Sequence, residues 1–143
     1  MTIKFLIAGN QDDRAGNPIP KNRKTIYQRW MPDAKRYVAW KDKIVGDFLE
    51  VVIHDRELRR RGFASAYVNK GKPIELGAGE KARMDLKIYW KNGTHGDPEN
   101  IFGAIADALF VNDKNLDGGF ESRIAEDGKG KVEVEIAIQQ ERI

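Results

Sequence analysis

Met84-Asp85-Leu86-Lys87-Ile88-Tyr89-Trp90 sets Met84, Leu86, Ile88 and Trp90 against Asp85, Lys87 and Tyr89, and Asp97-Pro98-Glu99-Asn100-Ile101 starts a different rhythm soon after. A period of two marks a strand with one buried face. In the second stretch Ile101, Ala104, Ile105, Ala108 and Leu109 recur at helical spacing and form one apolar stripe. Asp97 is suited to cap that helix and Pro98 to occupy its first position, because the missing proline N–H has no partner there anyway. Asn92 to Gly96 is the polar turn between the two elements.

Downstream, Asn112 to Gly119 breaks the helix and Phe120 to Ala125 reads as a strand. Asp127-Gly128-Lys129-Gly130 is a tight turn into Val132 to Ile138, which alternates clearly and is the last strand. Upstream, Ile3 to Ile7 is a strand ended by Gly9-Asn10, and Gln11 to Lys24 is a loop rich in Gly, Pro, Asn and Asp. Pro32-Asp33 opens a helix whose Tyr37, Trp40, Ile44 and Phe48 share a face; it continues, or restarts after a bend, through Glu57 to Arg61. Pro73 to Ala78 is a turn and a short extended piece. The expectation is one α+β domain over residues 1–143, with a mixed, largely antiparallel sheet and two main helices packed on it.

The 41% hydrophobic content suits one core rather than two. No apolar run is long enough to span a bilayer, and no signal peptide is visible, so a cytoplasmic location is expected. The absence of cysteine excludes disulfides and thiolate zinc sites, and His54 and His95 alone do not close a zinc site.

The chain is mildly basic, with a formal charge of +3, yet Asp97, Glu99, Asp107 and Asp113 crowd into its second half, with Asp117 following. A basic body attracts a polyanion, and a compact acidic centre holds metal ions against it, which is what a metal-dependent nuclease needs. Carboxylate oxygens suit Mg²⁺, a hard ion, and Mn²⁺ as its substitute. Asp107 lies eight residues beyond Glu99, and both are expected on one helical face. Taken singly, each acid has a plainer reading: Asp97 as a cap, Glu99 as a favourable charge at the positive helix end, Asp107 as a solvated residue. Only their conjunction points to metal. The run from Asp113 also mimics the start of a calcium-binding loop, but position twelve is Ile124 where a bidentate glutamate belongs, so this is treated as a chance match.

Asp97-Pro98-Glu99-Asn100, then Asp107-Ala108-Leu109, then Asn112-Asp113-Lys114-Asn115-Leu116 resembles the RusA family of Holliday junction resolvases. Gly16-Asn17-Pro18-Ile19-Pro20-Lys21-Asn22-Arg23 is similar to that family's N-terminal Gly-x-Pro-x-Pro-Lys-x-Arg segment, and the order agrees from Thr2 to Ile138. The resemblance implies a dimeric, Mg²⁺-dependent endodeoxyribonuclease that cuts branched DNA in recombination and repair, of a kind often encoded on phages or prophages. Carried over by position, Asp97, Glu99 and Asp113 are the catalytic, metal-binding acids and Asp107 supports them. Asp117 is the alternative third ligand. Two departures stand out: the family lysine one helical turn after the second acid is Gly103 here, and Asn112 replaces the first acid of the pair. Lys91, Lys114 and Lys87 are candidates to supply the missing cation.

For DNA contacts the sequence offers Lys21, Arg23, Lys24, Arg29, Lys91 and Lys114, with Lys35-Arg36 and Arg59-Arg60-Arg61 as further basic clusters. Tyr27 and Trp30 lie beside these cations and could stack on exposed bases, though core or interface packing suits Trp30 better. Two rival readings are a DNA-binding protein that kept this fold and lost the chemistry, and an interaction module whose acids are only caps and surface charge.

Overall fold

The computed structural model describes residues 1–10, 12–19, 32–63 and 71–140. Four strands form one sheet in the order β1-β4-β2-β3: β1 Thr2–Ala8, β2 Glu80–Trp90, β3 Leu116–Ile124 and β4 Lys131–Gln140. β4 pairs antiparallel with both β1 and β2, and β2 pairs parallel with β3. The expected mixed, largely antiparallel α+β architecture is present. Helix α1 spans Pro32–Ile53, α2 spans Arg56–Arg61 and α3 spans Pro98–Leu109. The helix after Pro32 therefore restarts rather than continues. Asp55 makes the restart, its Oδ1 accepting from the N–H groups of Glu57 and Leu58.

Alternation explains the layers. Ile3, Phe5 and Ile7 of β1, Ala82, Met84, Leu86, Ile88 and Trp90 of β2, and Val132, Val134, Ile136 and Ile138 of β4 are buried on one sheet face. Tyr37, Trp40, Ile44, Phe48 and Val52 of α1 and Ile101, Ala104, Ile105 and Leu109 of α3 are buried in the same core. Phe48 sits between the rings of Phe5 and Phe63, 5.8 Å from each.

One detail departs from the sequence reading, and one adds to it. The strand expected at Phe120 starts at Leu116, inside the stretch read as a break. Gly118-Gly119 looks like a loop signal, but Gly118 has φ 152°, and a Cβ added there would lie 1.8 Å from the Met84 carbonyl oxygen of β2. The turn at Asp127 to Gly130 exists, with Gly128 at φ 68°, yet the strands it joins are not neighbours, because β2 lies between them.

β2, α3 and β3 form a parallel crossover unit, and this places the acids. Asp97 follows the C-terminal end of β2. Asn115 accepts from the Ala82 N–H near the start of β2. The two ends of α3 therefore lie at the two ends of the sheet.

Candidate functional site

At the C-terminal end of β2, three loops are bound together. Asn17 is the clamp: its Oδ1 accepts from the Lys91 N–H, and its Nδ2 donates to the Thr94 carbonyl at 2.9 Å and to Asn92 Oδ1 at 3.3 Å. Gly130 donates to the Ala15 carbonyl at 2.9 Å and accepts from the Gly9 N–H at 2.7 Å. Lys91 Nζ reaches Asp13 at 3.5 Å. His95 stacks on Trp90 with ring centroids 4.1 Å apart and planes 6° from parallel. Its Nδ1 lies 2.7 Å from the Gly96 carbonyl. A carbonyl can only accept, so Nδ1 is the donor in this contact.

This assembly leads into the start of α3. Asp97 caps the helix as expected, Oδ1 accepting from the Glu99 N–H at 2.9 Å, with Pro98 in the first turn. Asp97 and Glu99 are exposed, at the end where the helix dipole favours negative charge. Nothing in the cap uses the second oxygen of Asp97.

Asp107 has a different neighbourhood. It accepts from Lys41 Nζ at 3.1 Å, Tyr37 Oη at 3.2 Å and Lys72 Nζ at 3.3 Å. The eight residues between Glu99 and Asp107 turn the helix by about 80° beyond two full turns, enough to aim Asp107 at α1 while Glu99 faces solvent. Burial alone pushes the Asp107 carboxyl up, but the hydrogen bond and charge of Lys41, then of Lys72, outweigh it and hold the group below the usual carboxylate range. Burial and then the Asp107 charge push the Tyr37 hydroxyl well above its ordinary value. Asp107 is thus neutralised by two ammonium groups and ties α3 to α1. The depressed value gives the sign of its effect on stability: the contribution is present above the unfolded carboxyl's pKa, about 4, and is lost as pH falls through the lower folded value. Asp107→Ala should cost about 1–3 kcal/mol at pH 7, toward the lower end because solvent reaches the cluster, and the deficit should shrink in acid; chemical denaturation at pH 7 and pH 3 measures both.

Asp113 stands at the far end of α3. It is exposed, and its carbonyl accepts from the Leu116 N–H in the turn that opens β3. α3 has 12 residues; at 1.5 Å each its length is about 18 Å. Asp97 and Glu99 at one end cannot share an ion with Asp113 at the other within one chain. Among the described residues no three His, Cys, Asp or Glu side chains gather in a group that could hold a metal ion. Asp117 pairs in register with Arg83, on the sheet face opposite Met84 and Leu86, and so points away from α3. Of the candidate replacement cations, Lys91 lies at the Asp97 end, Lys114 at the Asp113 end, and Lys87 on the outer sheet face.

Lys21, Arg23, Lys24, Arg29, Tyr27 and Trp30 lie outside the described residues. Arg61 is held by Glu80 and the Glu75 carbonyl, so part of the Arg59 to Arg61 cluster serves packing. Sequence reading missed the roles of Asn17, Lys41 and Lys72. Asn17 had one visible signal, its place directly before Pro18, where the backbone is held extended; the two lysines had none, since only tertiary contact pairs them with Asp107.

No protein-family model matches the chain, and a search of curated proteins finds no match.

Proposed function

We propose that this chain is a Mg²⁺-dependent, structure-specific endodeoxyribonuclease that hydrolyses phosphodiester bonds in Holliday junctions or other branched DNA, and that it works as a homodimer. The observation that carries this reading is the Asn17 clamp. Lys21, Arg23 and Lys24 follow Asn17 closely in sequence, and Asn17 is bonded to the turn that ends at Asp97. The described residues just before those cations in sequence are thus held at the end of the sheet where Asp97 and Glu99 stand. Phosphate contacts fix position without reading bases, as an enzyme that recognises branch shape requires.

The chemistry follows from the residues. Asp97 and Glu99 supply exposed oxygens at one end of α3, Asp113 supplies them at the other, and Asp107 is engaged by Lys41 and Lys72 instead. Mg²⁺ would activate a water and stabilise the leaving oxygen. A centre that uses acids from both helix ends needs two chains, each giving one end. A two-fold dimer also presents two centres to opposed strands, as paired cuts demand.

The direct test is cleavage of a synthetic four-way junction with and without Mg²⁺. A second experiment reads the composite centre. Asp97→Asn chains and Asp113→Asn chains, each inactive alone, should recover nicking when refolded together, because mixed dimers hold one complete centre. Random mixing predicts about a quarter of the wild-type centres. No recovery from a mixture shown to contain mixed dimers sinks the shared centre. Alanine at Lys21, Arg23 and Lys24 together should flatten the salt dependence of junction binding, by about 2–3 in the log–log slope per chain engaged.

A second reading is a DNA-binding protein with weak or absent catalysis. It is favoured by Gly103, which carries no amine at the place where the resembled family has one. Tight, salt-sensitive junction binding without cleavage in Mg²⁺ or Mn²⁺ would select it.

A further inference from the structure

We infer that β3 is a self-complementary edge through which two copies of this chain join their sheets into one. Among the described residues β3 has no neighbour on its outer side. A free edge with unpaired N–H and C=O groups is a template for another strand, and proteins usually protect such edges with short length, lysines or covering elements. β1, the other edge, is the shorter at 7 residues and carries Lys4. β3 runs for 9 residues.

Its side chains invite a partner on both faces. In register with Leu86 and Trp90, Phe120 and Ile124 belong to the core side of the sheet, yet they are 42% and 54% exposed. α3 contacts β3, yet these two side chains stay open. On the outer side β3 carries Asp117, Glu121 and Arg123.

Antiparallel pairing of β3 with its own copy, with Phe120 on the two-fold axis, is the one symmetric register that pairs the whole strand. It sets Phe120 against the partner's Phe120 and Leu116 against the partner's Ile124, twice over by symmetry. On the outer side Asp117 meets the partner's Arg123, and Glu121 meets the partner's Gly119, so no like charges oppose. Cross-strand apolar and opposite-charge pairs of this kind are the stabilising unit of a sheet. The charges that would repel a foreign strand thereby select a copy of the same one.

The register has a consequence for the acids, which rests on the proposed nuclease reading while the interface does not. Leu116 of one chain lies beside Ile124 of the other, so the turn carrying Asp113 arrives at the end of the sheet where the neighbouring Asp97 and Glu99 stand.

Sedimentation velocity tests the interface without any activity assay. The wild-type chain should sediment at twice its 16.2 kDa mass at micromolar concentration. Phe120→Glu puts two carboxylates on the axis at an exposed position, and should weaken the dimer at least tenfold while circular dichroism stays unchanged. Asp117→Arg and Arg123→Asp should each weaken it, and the two together should restore it. Because the chain has no cysteine, Phe120→Cys should form one disulfide with its own copy under mild oxidation, since opposed Cα atoms in an antiparallel pair lie within disulfide range. A monomeric wild type, or a dimer that ignores Phe120→Glu and gives no cross-link, overturns the interface. An intact dimer without cleavage overturns only the nuclease.

Discussion

Asp97→Asn should lower junction cleavage by at least about a thousandfold, equivalent to about 4 kcal/mol of transition-state stabilisation, while leaving fold and junction binding intact. The substitution is nearly isosteric. Asparagine is as good a helix cap as aspartate, and its Oδ1 can still accept from the Glu99 N–H that Asp97 engages at 2.9 Å. Stability should therefore change by less than about 1 kcal/mol. The loss is confined to one negative charge beside the proposed metal. Removing that charge from a surface meant to meet phosphates should make binding equal or tighter. The measurement is nicking under single-turnover conditions, with a gel-shift titration of the same variant and a thermal melt as controls. Cleavage at the wild-type rate would remove Asp97 from the chemistry and the proposed function with it.

What the sequence disclosed depended on whether a property was local. Period-two alternation in β2 and β4 and the apolar stripe of α3 are local patterns, and each became the expected element with the expected buried face. The Asp97–Pro98 cap is local chemistry and was equally legible. Neighbour relations were not. Nothing near Asp127 to Gly130 says that β2 separates the strands this turn joins, because strand order is decided by which apolar faces share a core. Asp107 read as a metal ligand's neighbour because its spacing from Glu99 was counted along the chain; about 80° of rotation and the approach of Lys41 and Lys72 gave it different partners. The closeness in sequence of Asp97 and Asp113 concealed a helix length between them. That separation is the physical reason for placing the proposed centre between two chains.

Gly118→Val should be the most damaging single change in the sheet. Gly118 has φ 152°, and a Cβ there would lie 1.8 Å from the carbonyl oxygen of Met84 and 2.7 Å from its carbonyl carbon. Those atoms belong to the backbone of β2, which is bonded on its other side to β4 and cannot retreat. Relief therefore requires β3 to leave β2. That would cost the parallel ladder from Ala82–Leu116 to Trp90–Ile124 and loosen the turn that carries Asp113. The expected loss exceeds about 4 kcal/mol, beyond the usual range for point substitutions, and corresponds to a fall of roughly 10–20 °C in melting temperature. Gly119→Val is the matched control. Its nearest neighbour atom, Asp85 Oδ1, is 4.0 Å from an added Cβ, and a β-branched residue suits an open strand position, so that variant should melt within a few degrees of the wild type. Near-equal melting of the two variants would mean that β3 does not pass Met84 as closely as described, and the placement of Asp113 at the start of β3 would lose its support.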